Sequence, residues 1–282
     1  MARAAERVRA LRAHVEGARA SHSSVDIGLR LFERDSSIGG GLLAGALAYR
    51  LFVLLLPSAL LFVSGLGLYA GIVDKSSKSV AKEAGLHGLI ASQVAETASG
   101  GARWVVFLVM VPAVAYALAT LYRAVAITHA IVWHGSARGT RVTRTGVVLL
   151  GAAFLLNLLA AEVVGWIRRH NQLVGLTSLL VYLGVVGGAW LVVSLQLPHR
   201  DARWYGLVPG ALLFGGGLLL VNVFNVYVTT RLVENRANTY GALGTATALL
   251  FSLVLVGRLM VVSAELNAAL DDRRELRRGA VS

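Results

Sequence analysis

Six separate stretches of this chain are each long and apolar enough to cross a bilayer as a helix, and that constrains most of what it can fold into. They run Leu42–Ala70, Trp104–Val132, Gly146–Ile167, Leu176–Leu197, Gly206–Val228 and Gly244–Asn267. A hydrocarbon core needs about 20 apolar residues of helix, and every stretch reaches that length. Membrane strands would alternate apolar and polar residues over about ten positions, which Val105–Val111 and Leu176–Gly188 do not do. Composition agrees, with 56% of 282 residues hydrophobic, 15% charged and a mean hydropathy of +0.67. A soluble domain carries about 25% charged residues, and a disordered one is apolar-poor. The expectation is an all-α polytopic membrane bundle of six transmembrane helices.

Three regions follow: a basic N-terminal segment (1–37), the six-helix membrane domain (38–268) and a charged tail (269–282). The first region has no apolar run of signal-peptide kind. Val8, Leu11 and Val15 recur there at helical spacing among arginines, as in a helix lying on a membrane surface. The long segment Gly71–Arg103 repeats Val80, Ala84, His87, Ile90 and Val94 at three- and four-residue steps, which predicts an amphipathic helix outside the membrane.

Sixteen Lys and Arg residues fall on the side holding both termini, against eight on the other. Positive residues stay cytoplasmic, so both termini are predicted inside. The net charge of +12 is then topology and attraction to anionic lipid, with no nucleic acid needed as partner. The chain has no Cys, hence no disulfide, thiolate metal site or cysteine nucleophile.

Pro57 lies mid-span and predicts a kink near Leu54–Pro57, whereas Pro209 falls in a first turn, where it is tolerated. Gly41 with Gly45, Gly184 with Gly188, and Gly206 with Gly210 have the four-residue spacing that lets helices approach closely in lipid.

Six ionisable residues lie within spans: Arg50, Arg123, His129, Glu162, Arg258 and Glu265. Each costs about 2.5–3.5 kcal/mol at mid-membrane unless it faces protein, water or a partner. Arg258 and Glu265, seven apart, share one helix face. His129, Glu162 and Glu265 sit near span ends, within reach of the interface. Asn222, Asn225 and Thr229 form one polar stripe on the fifth span. With two acids against three arginines inside the spans, at least one arginine lacks an internal partner. Arg50, Arg123, Arg258, Glu265, Asn222 and Asn225 are therefore the candidate contacts for an anionic substrate. No zinc-binding H-E-x-x-H, nucleophile elbow or nucleotide loop is present. No catalytic residue, metal or cofactor is expected, and RNA cleavage is not.

Two stretches and a linker resemble one family. L-A-G-A-L-A-Y-R-L-F-V-L-L-L-P-S-A-L-L-F-V-S-G-L-G, which includes Tyr49 and Pro57, is similar to the first-span signature of the YihY/virulence factor BrkB family. Y-G-A-L-G, with Tyr240, Gly241 and Gly244, and S-A-E-L-N, ending at Asn267, resemble its closing motif. P-H-R-D-A-R-W-Y-G-L-V-P-G-A, from Pro198 through Pro209 and Gly210, resembles its linker between the fourth and fifth spans. Arg50 departs from the family's usual second aromatic after the tyrosine. Some members once carried a ribonuclease BN label, for which no catalytic residues stand here. The YhjD-type branch is linked to moving a lipid A precursor. The resemblance thus implies an inner-membrane protein handling lipid, with membrane lipids as partners and a lipid-linked precursor or phospholipid as substrate. A non-transporting scaffold for envelope assembly is the alternative.

Overall fold

The computed structural model describes residues 23–72, 103–137, 140–170, 172–200, 202–224 and 230–279, and all their regular structure is helical. The helices are α1 (Ser23–Ile38), α2 (Gly40–Ile72), α3 (Arg103–His134), α4 (Arg144–His170), α5 (Gln172–Leu195), α6 (Trp204–Phe224) and α7 (Thr230–Gly279). Six contain membrane-length apolar stretches, each overlapping one expected span. The expected helices around Val8–Val15 and Val80–Val94 lie outside the described residues.

Neighbours pack in a circuit. α2 lies between α3 and α7, then α6 packs on α7, α5 on α6 and α4 on α5, with α4 touching α3 to close it. The interior is built from one face of each helix: Leu47, Leu51 and Leu54 of α2, Leu121 and Val125 of α3, Val193 of α5 and Val261 of α7 are all buried. Outward faces are equally apolar, with Leu42, Tyr116, Val148, Leu180 and Leu220 exposed. Only 11% of the most apolar stretch of α3 and of α4 is covered by protein. Water could not solvate such a surface, so lipid must cover the rest.

α1 is a polar helix of 16 residues that packs against α7 and the start of α2. It turns into α2 at Gly39, whose φ of 67° suits glycine. The Gly39 carbonyl accepts from the Leu42 and Leu43 amides at 2.8 and 3.2 Å, starting α2. The N-terminal region therefore joins the bundle from Ser23 onward. At the other end α7 continues unbroken for 50 residues, so the charged tail extends the last membrane helix.

Two expected glycine pairs do not mediate packing. Gly41, Gly45, Gly184 and Gly188 face open space, where an added methyl would meet nothing. The close approaches fall one step away. A methyl on Gly257 would strike the Ala44 carbonyl of α2, and one on Gly215 or Gly187 would press on the facing backbone of α5 or α6. Four-residue spacing identified glycine-bearing helices and missed the face that turns inward. Gly210 is a true contact, pressed on Ser263 and Asn267 of α7. Pro57 and Pro112 sit inside continuous helices.

Candidate functional site

Charge concentrates at the end of the bundle that carries α1. Arg258, Glu265 and Asp272 recur every seven residues along α7, which keeps them on one stripe. α1 lays Arg34 and Asp35 across that stripe. Arg258 grips Asp35 in a two-pronged pair, Nη1 to Oδ1 at 2.5 Å and Nη2 to Oδ2 at 2.7 Å. This fork geometry is the stronger kind of arginine–carboxylate contact. Arg34 reaches the other way, donating to Asp272 Oδ2 at 2.7 Å and to the Val132 carbonyl at 2.7 Å. Val132 lies in the last turn of α3, where carbonyls lack helical partners and a cation complements the dipole. Arg200, between α5 and α6, donates to the second Asp272 oxygen at 2.7 Å.

Hydrogen bonds from Arg258, aided by its charge and by a hydrogen bond from Glu265, hold the Asp35 carboxyl below the usual carboxylate range despite desolvation. A lowered folded value means stability present above the unfolded value, about 3.9, and lost as pH falls through the folded one. Thermal stability in detergent should therefore decline on acidification below about pH 4, and Asp35→Asn should remove that part of the decline. An unchanged acid profile in the variant would contradict the pairing.

Behind this ladder lies a buried polar layer. His129 and Trp133 stand one turn apart on α3, and both are almost wholly buried. The His129 ring meets the Trp190 ring edge-on at 6.5 Å, and Trp190 Nε1 donates to Ser263 Oγ at 3.2 Å. Trp190 also stacks on Phe214 at 4.1 Å. Trp133 packs with Ala264 and Ala268, on either side of Glu265. Asn267 Oδ1 accepts from the Gly210 amide at 2.7 Å and its Nδ2 donates to the Leu207 carbonyl at 3.2 Å, a clasp possible because Gly210 has no side chain. Among the described residues, four buried polar atoms have no hydrogen-bond partner: both ring nitrogens of His129, Trp133 Nε1 and Glu265 Oε1.

The expected site residues thus divide. Arg258 and Glu265 come together, as their spacing implied. The expectation of an unpaired arginine does not hold for Arg258, because its acid, Asp35, comes from outside the spans. His129 and Glu265 do not reach the interface; they are 2% and 1% exposed. Arg50 and Arg123 lie apart from the ladder. Arg123 faces outward and Arg50 is half-buried, its guanidinium 5.9 Å from the exposed Tyr49 ring. No carboxylate pairs with either among the described residues. Asn222 is half-buried near the end of α6, Asn225 lies outside the described residues, and Glu162 is exposed on α4. Tyr240, Gly241 and Gly244 fall within the first turns of α7, while Pro198 lies in the α5–α6 linker.

Counting only charges within spans overlooked Arg34, Asp35 and Asp272. The continued seven-residue step from Glu265 to Asp272, and an acid directly before the first span, are the signals that point to them. No group of three metal-ligating side chains forms among the described residues. A separate apolar cleft of about 390 Å³ opens between α4 and α5, lined by Leu156, Leu159, Val163, Val181 and Tyr182, with Tyr182 Oη donating to Asn157 Oδ1 at 2.8 Å.

No curated protein and no solved structure matches the chain. The family described as Virulence factor BrkB matches residues 31–281, a range that holds the Asp35–Arg258 pair, the buried polar layer and all six membrane-length helices. This multi-pass membrane protein belongs to the virulence factor BrkB family.

Proposed function

We propose that this protein binds anionic lipid and moves or flips a phospholipid or lipid-linked envelope precursor. In this reading it lies in the inner membrane with both termini cytoplasmic, acts without a cofactor and is not an enzyme. One observation carries the proposal: on adjacent helices and at matching depth, Arg50 and Arg123 have no acidic partner among the described residues. Arg50 lies ten residues into α2 and Arg123 eleven before the end of α3, or about 15 Å from that end of each helix at 1.5 Å per residue. Long side chains there reach lipid phosphates from the bundle's outer face, and guanidinium matches phosphate in a two-pronged fashion. The apolar cleft between α4 and α5 offers room for an acyl chain.

The test is lipid retention by native mass spectrometry of protein purified with phosphatidylglycerol and phosphatidylcholine. Replacing both Arg50 and Arg123 by Gln should weaken phosphatidylglycerol retention roughly tenfold or more, from about 1.5 kcal/mol per charged hydrogen bond, and leave phosphatidylcholine unchanged. Wild-type retention in the double variant would overturn the reading. The α1–α7 ion pairs favour a second one, a rigid scaffold for envelope proteins, in which the arginines only anchor the bundle in lipid.

A further inference from the structure

α1 is docked on the bundle without being buried in it. From Asp26 to Ile38 each of its residues is exposed or half-buried, whereas every other helix buries at least two apolar side chains, such as Leu150 and Val164 of α4. Its hold rests on charge. Adjacent Arg34 and Asp35 make the ion pairs to Asp272 and Arg258, and Arg34 adds the bond to the Val132 carbonyl. The four paired side chains keep between 19% and 38% of their exposure, so water competes for each and the net gain is small. Ile38 adds a half-buried contact to the cluster that holds Val132, Trp133 and Ala264. A segment with so few buried contacts is among the first to open locally. A single residue, Gly39, joins it to α2, in the left-handed region that glycine adopts freely.

Opening α1 strands few partners. Asp272 keeps Arg200 on its other oxygen, Arg34 and Asp35 pass into water, and the Val132 carbonyl is one of those a helix end leaves to solvent. What remains is Arg258 with its fork vacated. A guanidinium fork fits phosphate as well as carboxylate. We propose that α1 is an autoinhibitory strap hinged at Gly39, which seats Asp35 in the Arg258 fork until an anionic phosphate group takes that place. Asp35 is then the chain's own stand-in for the ligand, and Arg258 the group that binds it. The strap and its anion site stand apart from lipid binding at Arg50 and Arg123; only the step from opening to lipid movement rests on the reading above. Gly40 offers a way to open the strap without altering a charge. Its backbone is ordinary helix, without the positive φ of Gly39, but a methyl there would fall on the Asp35 carboxylate and 3.1 Å from Arg258 Nη1. The carboxylate must leave its place for alanine to fit.

The experiment measures the distance between spin labels on Phe32→Cys and Leu276→Cys, both exposed sites in a chain without other cysteines, by pulsed electron–electron double resonance of the full-length protein in phosphatidylcholine nanodiscs. The otherwise unaltered protein should give one short-distance population. Gly40→Ala and Asp35→Asn should each raise a longer-distance population roughly tenfold or more, as expected for losing one charge-assisted hydrogen bond. Distributions unchanged in both variants overturn the strap. Phosphatidylglycerol nanodiscs should open the unaltered strap, and Arg258→Gln should make opening independent of lipid charge. Inorganic phosphate added to phosphatidylcholine nanodiscs separates the sources of the anion. Opening by phosphate alone assigns the site to the free ion, opening by phosphatidylglycerol alone assigns it to a headgroup, and opening by neither overturns displacement. A last arm follows phosphatidylglycerol exchange between vesicle leaflets. Faster exchange in Gly40→Ala supports autoinhibition, and unchanged exchange with an opened strap overturns it. No exchange in either protein counts against the transport reading and leaves the measured strap in place.

Discussion

Replacing Gly257 by Ala should destabilise the bundle by about 3 kcal/mol, at the upper end for forcing extra volume into a packed core. The new methyl points at the Ala44 carbonyl oxygen and approaches the Ala48 amide. These are backbone atoms of α2 and cannot rotate aside as a side chain would. α2 and α7 would have to move apart along their contact, loosening the packing that places Arg258 beside Gly40 and Asp35. The control is Gly41→Ala, where nothing lies within contact and the higher helix propensity of Ala favours the variant by up to about 1 kcal/mol. Unfolding in mixed micelles by tryptophan fluorescence separates the two. Equal behaviour of both variants would mean that α2 and α7 are not in this close register.

The second large effect is expected at the ladder. Arg258→Gln should cost about 2 kcal/mol, below the 3–5 kcal/mol of a fully buried pair because the Arg258 side chain is 38% exposed. The loss arises chiefly from leaving the Asp35 carboxylate without its guanidinium. Adding Asp35→Asn should recover part of it, since the double variant buries no unpaired charge. A double-mutant cycle measured by chemical unfolding reads the coupling. Strict additivity would show that the two side chains do not meet in the folded protein.

The membrane architecture was legible because it is written in length. A run of apolar residues long enough to span the bilayer has few other stable fates, and each expected span overlaps an observed one. Chemistry was legible where it followed a single helix: Arg258 and Glu265 share a face because seven residues make nearly two turns. It was not legible where two distant segments meet. Asp35 is an unremarkable acid in a basic, polar segment until α1 turns at Gly39 and brings it onto α7. Burial of His129 was hidden for a related reason, since helix-end positions face water or neighbours according to how far adjoining helices extend. Here α7 runs past the expected last span to Gly279 and covers the end of α3. The inward glycines escaped notice because a motif at one spacing identifies no face, and Gly41, Gly45, Gly184 and Gly188 look outward where Gly187, Gly215 and Gly257 look in.

The most direct measurement of the lipid-handling account is movement of headgroup-labelled phosphatidylglycerol between leaflets of vesicles containing the purified protein, followed by dithionite quenching. The account predicts exchange faster than in protein-free vesicles for phosphatidylglycerol and not for phosphatidylcholine, lost when Arg50 and Arg123 are both replaced by Gln in protein that still inserts. Exchange no faster than in empty vesicles, or equal in wild-type protein and the double variant, would contradict it.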